Sequence, residues 1–178
     1  GGLSSTTLSL WVNKWERVRG NVRYTFSETP VFDRSFGVAV EPADSRSTEV
    51  TLNLYPTRSL VAELGVRQTR LTRRTDGVEL SSALIPRVRA QYQFTRSLFV
   101  RGIFEYSSQE RLGLRDPATG LSLYRVDQGG VYTLRGGSEG YDFHIEGLVS
   151  YEPSPGTVFY VGYTRQMEDA ESFRFREV

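Results

Sequence analysis

ALIPRVRAQYQFTRSLFVRGIFEYS, residues 83–107, carries the alternation that decides the fold. Leu84, Pro86, Val88, Ala90, Tyr92 and Phe94 form one series, and Ile85, Arg87, Arg89, Gln91 and Gln93 the other. After a short break the pattern resumes, with Leu98, Val100, Gly102, Phe104 and Tyr106 against Phe99, Arg101, Ile103 and Glu105. A period of two sends successive side chains to opposite faces of a strand, so the stretch reads as a hairpin with a greasy face and a charged face. Two architectures use such a hairpin. A soluble sandwich buries the apolar face and wets the polar one. A transmembrane barrel turns the apolar face to lipid and the polar face to a lumen.

The same period recurs along the chain, in residues 4–13, 16–26, 31–41, 48–55, 60–69, 142–151 and 157–165. With the quoted pair this predicts about nine strands, several of them roughly 9 to 11 residues long, the length a tilted strand needs to cross a bilayer. No long segment has a helical period, and no apolar run approaches a membrane-spanning helix. The expected fold is therefore all-β, an antiparallel meander.

The connections favour the barrel. Tight turns are expected at FSETPVF (26–32), YPTRSL (55–60), FTRSLF (94–99) and YEPSPGTVF (151–159), each entered from an aromatic residue. Longer polar loops are expected at EPADSRST (41–48), at TRRTDGVELSS (72–82) and from Ser108 to Gly140. VNKWE (12–16) fits neither group and reads as a tight turn or a bulge. Short turns at one end and long loops at the other is the asymmetry of outer-membrane barrels. Phe26, Phe32, Tyr55, Phe94, Phe99, Tyr151 and Phe159 would then form an interfacial girdle beside the turns.

Composition narrows the function classes. The net charge of +1 gives no whole-chain attraction to nucleic acid, and with no cysteine there is neither a disulfide framework nor a thiolate metal site. His144 is the only histidine, on a polar face beside Glu146. Glu168 and Asp169 read as solvated carboxylates of an external loop. No nucleophile elbow, phosphate-binding glycine loop or metal set can be named, so neither an enzyme site nor a cofactor is expected within these 178 residues.

The arginines fix the facing. One arginine turned to the bilayer midplane of a barrel costs about 2 to 4 kcal/mol. Arg87, Arg89 and Arg101 in lipid would approach the whole stability of a domain, roughly 5 to 15 kcal/mol. They are expected in a wet lumen, in one polar network with Glu63, Arg67, Glu105, His144 and Glu146. Such a network serves either to cross-link the interior or to select a solute. In the Ser108–Gly140 excursion, a turn at Asp116–Gly120 and short alternating stretches at 121–126 and 130–135 suggest a small hairpin. There Arg115, Tyr124, Arg125, Tyr132 and Arg135 supply stacking faces and donors suited to a sugar or polyanion, or simply cover the mouth.

Residues 71–109, LRDPATG (114–120), GGVYT (129–133), SYEPSPGTVFYVGY (150–163) and DAESFRFREV (169–178) together resemble a large bacterial family. Its members carry an N-terminal domain similar to family-9 carbohydrate-binding modules and a C-terminal outer-membrane β-barrel of unknown function. The resemblance covers about residues 45–178 and transfers no catalytic residue. It implies an envelope location in the bacterial outer membrane, lipid as partner and a link to saccharides. It also implies that this chain is a fragment of a larger barrel, with the module and a final strand in the remainder of the parent. Two other readings stand beside it: a soluble barrel or sandwich that binds a small ligand, and part of a glycan-processing enzyme whose active site lies elsewhere.

Overall fold

The computed structural model describes residues 4–31, 41–113, 115–116, 119–126, 129–134, 136–169 and 176–177. Eight long strands form one antiparallel meander: β1 (Ser5–Trp15), β2 (Val18–Val31), β3 (Glu41–Leu54), β4 (Leu60–Arg73), β5 (Glu79–Gln93), β6 (Leu98–Arg111), β9 (Ser138–Ser154) and β10 (Thr157–Asp169). A two-residue strand, β11 (Arg176–Glu177), adds to the β10 edge. Between β6 and β9 a separate hairpin pairs β7 (Tyr124–Val126) with β8 (Tyr132–Leu134). No helix occurs among the described residues, and β1 pairs only with β2, so closure into a barrel is not seen.

Several strand boundaries differ from those read in the sequence. Residues 27–30 are not a turn: β2 runs through them to Val31, with Pro30 opposite Pro42 and Val31 opposite Glu41. Proline has no N–H to donate, and a non-hydrogen-bonded pair of an antiparallel ladder needs none, so two facing prolines fit here without loss of a β2–β3 bond. Residues 41–48 are likewise not a loop but the first half of β3. The strand expected at 31–41 falls mostly on 32–40, outside the described residues; eight long strands lie among the described residues. Glu168 and Asp169 belong to β10 and not to a loop. Of the two readings of VNKWE, the bulge holds: β1 runs through Asn13 and Lys14 with a register shift between Val12 and Trp15, and the turn follows at 16–17.

With these corrections the connections sort by end. Residues 16–17, 55–59, 94–97 and 155–156 join strands at one end of the sheet; residues 74–78 and the 112–137 excursion join them at the other. At the short end, Pro155 and Gly156 close a two-residue turn, and the φ of +84° at Gly156 requires glycine. Thr57 Oγ1 accepts the N–H groups of Ser59 (3.3 Å) and Leu60 (3.0 Å), and Thr95 Oγ1 accepts that of Ser97 (3.2 Å), so both Thr-Arg-Ser turns are built alike.

The strands are also staggered. One row of paired residues runs Val18, Leu54, Ala62, Ala90, Gly102, Gly147, Tyr163. Val18 and Leu54 adjoin their turns, whereas Gly102 lies four residues inside β6 and Tyr163 six inside β10. That is one residue per strand step. About 3.4 Å along for every 4.8 Å across corresponds to a tilt of roughly 35°.

Burial is inverted relative to a soluble domain. The chain exposes 12792 Å², against about 8,800 Å² for a compact monomer of this mass. Val22, Leu52, Leu64, Val88, Val100, Phe104, Val149 and Val161, all on one face, are between 36% and 69% exposed. The buried side chains among the described residues, Ala43, Ile103 and Ser150, are all on the other face. Among the described residues no second layer covers the apolar face.

That face is banded. From the short turns upward it carries apolar, small or aromatic residues, for example Val18 to Phe26 on β2, Leu60 to Val66 on β4 and Leu98 to Tyr106 on β6. Farther along the same face come Glu28, Asp44, Arg46, Arg70, Glu110 and Glu139. Arg165, opposite Ile145 on the edge strand β10, is the exception within the band. The girdle needs revision. Phe94, Tyr151 and Phe159 border the band at the short end, and Tyr92 meets Phe94 edge-on at 4.7 Å. Phe26 lies toward the long-loop end, Phe99 is on the opposite face across from Ser150, Tyr55 sits under an arginine, and Phe32 is outside the described residues.

Candidate functional site

The face opposite the apolar band holds the charged residues, and register explains their grouping. One row reads Asn53, Glu63, Arg89, Ile103, Glu146; the next reads Gly65, Arg87, Glu105, His144, Gln166. Arg67 stands in the row after that, between Glu49 and Ile85. Arg101 stands one row toward the turns, opposite Gln91 and Leu148. All eight residues expected in a common polar network therefore share this face.

Contacts within it are selective. Arg101 Nη2 donates to Glu146 Oε1 at 2.8 Å, Arg87 Nε lies 3.6 Å from Glu105 Oε2, and Arg67 Nη2 donates to Glu49 Oε1 at 3.0 Å. Glu49 also faces Arg23 at 3.7 Å, so one carboxylate bridges β2 and β4 across β3. Glu63 and Arg89 are direct register partners, yet no ion pair joins them among the described residues. His144 stands opposite Glu105. Toward the loops a row of hydroxyls continues the pattern, with Thr7 to Thr25 at 3.2 Å and Ser47 to Thr69 at 3.4 Å. Glu49 and Arg23, both functional candidates by contact, were missed in the sequence because only the register places them beside Arg67.

Gly65 floors a hollow of ≈ 220 Å³ in this face, lined by Glu49, Glu63, Arg67, Arg87 and Glu105 among others. Both signs of charge and carboxylate acceptors surround a gap left by a missing side chain. Such a lining can hydrogen-bond a hydroxyl-rich solute from several sides. Among the described residues no group of three or more His, Cys, Asp or Glu is placed to hold a metal.

The excursion candidates divide. Arg115 pairs with Ser122 in an isolated bridge, and its Nη1 donates to the Gly120 carbonyl at 3.3 Å within its own turn. Tyr124, Val126, Tyr132 and Leu134 share one face of the β7–β8 hairpin, and all are at least half exposed. Arg125 is opposite Thr133 in the ladder, and Arg135 lies outside the described residues. The hairpin thus presents two tyrosine rings and two aliphatic side chains together.

Beyond the apolar band, Arg74 binds both Asp44 (2.5 Å) and Glu28 (2.7 Å). Those two carboxylates, accepting from one guanidinium, raise its pKa above the usual arginine value. In the adjoining turn the Val78 N–H, and then Arg73, hold the Asp76 carboxyl below the usual aspartate value.

No family model matches the chain, and no similar protein is found among curated proteins or solved structures.

Proposed function

We propose that this chain is part of a bacterial outer-membrane β-barrel whose apolar band meets lipid and whose charged face lines a polar lumen that binds or passes a solute. The inverted burial supports this reading most: the apolar face is exposed and every buried side chain among the described residues lies on the charged face. In water an uncovered apolar face of this size forfeits about 25 cal/mol for each Å² left wet; in a bilayer it is already solvated. The tilt of roughly 35° agrees with the 35–45° of membrane barrels. Short turns at one end and the long excursion at the other agree with periplasmic turns and external loops.

A saccharide is the solute class that the family resemblance suggests. The hollow around Gly65 and the tyrosine face of the β7–β8 hairpin supply the polar and stacking contacts it needs. Strands beyond this chain would complete the cylinder, since lipid tolerates no unpaired strand edge.

The test is solubility and insertion. The chain should require detergent or phospholipid vesicles to stay dispersed, and should resist protease once inserted. A monodisperse, folded protein in plain buffer would refute the membrane reading and favour a soluble ligand-binding sheet. Loss of oligosaccharide binding by the inserted protein on Tyr124→Ala and Tyr132→Ala would identify the hairpin as a sugar contact.

A further inference from the structure

We propose that the short-turn end of the sheet carries a separate binding site for phosphate-bearing anions, built by Arg17, Arg19 and Arg58 around Tyr55. It lies apart from the hollow at Gly65 and does not depend on what covers the apolar face. Turns 16–17 and 55–59 are joined there. The Tyr55 N–H donates to the Arg17 carbonyl at 2.8 Å, and Arg17 Nη1 donates to the Pro56 carbonyl at 3.3 Å. Between them opens a hollow of ≈ 480 Å³ lined by Glu16, Arg17, Arg19, Tyr55, Thr57 and Arg58, with Val61 behind.

Two features make this a built site. The first is order. The Arg19 guanidinium lies over the Tyr55 ring, 5.6 Å from its centre, and the Thr57 hydroxyl fixes the turn that carries Arg58. Cation–π attraction at this distance holds the guanidinium over the ring without using its N–H donors, which remain for oxygen ligands.

The second is charge. On the neighbouring strands Arg67, Arg87 and Arg101 each have a glutamate. Here three guanidiniums share a hollow with one carboxylate, Glu16, and among the described residues none of the three forms an ion pair. Like charges gathered this way are stabilised by an anion, and phosphate oxygens match the fork of arginine donors.

Pyrophosphate, titrated calorimetrically into the full 178-residue chain in neutral detergent, is the probe. Saturable binding is expected at millimolar concentration or below, weakening as salt rises. Arg19→Gln and Arg58→Gln should each lower affinity about tenfold. Arg58→Lys should lose less, since it keeps the charge without the fork, and it also guards against a glutamine variant that misfolds. Tyr55→Phe keeps the stacking ring and should bind as the parent does, whereas Tyr55→Leu should bind more weakly. Arg111→Gln, at the other end of the sheet, should change nothing.

Adding phosphatidylglycerol to the micelle separates the two sources of phosphate. Displacement of pyrophosphate assigns the site to a lipid headgroup, and undisturbed binding assigns it to a soluble phosphate ester. No saturable binding, or equal binding by the parent and the Arg19 and Arg58 variants, would overturn the site. Neither result would bear on insertion into lipid, which is read separately.

Discussion

Arg101 on β6 and Glu146 on β9 meet diagonally across the charged face, with Nη2 2.8 Å from Oε1 and each side chain about a third exposed or less. The pair joins the two strands that the long excursion separates in sequence, so it helps hold their register. A double-mutant cycle with Arg101→Ala and Glu146→Ala should give a coupling of about 0.5 to 1 kcal/mol, as for a partly wet ion pair. Denaturant unfolding in detergent measures it. A coupling indistinguishable from zero would show that the contact adds nothing to the sheet.

The excursion should be dispensable for the sheet. Arg111 and Ser138 are direct partners, so the ladder from β6 to β9 is complete without residues 112–137. Replacing that segment by Asn-Gly, a favoured two-residue hairpin turn, should leave the protease-resistant sheet intact, because closure cost changes slowly with loop length. Failure to assemble would mean that the excursion packs into the sheet. Any saccharide binding that depends on Tyr124 and Tyr132 should disappear with it.

The turn at 74–78 offers a pH test. Asp76 Oδ1 accepts the Val78 N–H at 3.1 Å, and Oδ2 accepts from Arg73 at 3.0 Å. The folded-state pKa of this carboxyl is lowered, so its contribution is present above the ordinary aspartate pKa and is lost as pH falls through the lowered value. The Val78 amide resonance should therefore titrate with a midpoint below that of aspartate in a short peptide. A midpoint equal to the peptide's would contradict the bond. Gly77, at φ +74°, should tolerate alanine poorly, at a cost of roughly 1 to 2 kcal/mol.

The edges of the sheet give a further expectation. Among the described residues β1 pairs only with β2, and β10 has only a two-residue partner beyond β9. Unpaired edges recruit other strands. The chain alone should run in detergent as mixed oligomers and not as one heat-modifiable monomer. A single closed, protease-resistant monomer would show that these strands complete a barrel by themselves.

What could be read from the sequence, and what could not, follows from the range of the forces involved. Facing was legible because a period of two is local: Arg87, Arg89 and Arg101 fall on one face whatever their neighbours do. Strand ends were less so. Ser27, Thr29 and Pro30 are turn formers by type, yet pairing of 27–30 with 42–45 on β3 draws them into β2. Pro86 shows the converse. It fits the alternation, but the β5–β6 ladder is interrupted between Leu84 and Arg87. The arginine cluster at Tyr55 was hidden altogether, because residues 17–19 and 55–58 are brought together only by the β2–β3 register.

A membrane barrel requires that the apolar band faces lipid. The chain has no cysteine, so single cysteines can be placed at Val88, Ala90 and Tyr92, and at Arg87, Arg89 and Gln91, without background. Each would carry a small fluorophore in phospholipid vesicles containing brominated lipid. Period-two facing fixes both sets at once. Strong quenching at Val88, Ala90 and Tyr92 with weak quenching at the other three is the predicted result. Equal quenching of the two sets, or stronger quenching of the arginine set, would contradict it.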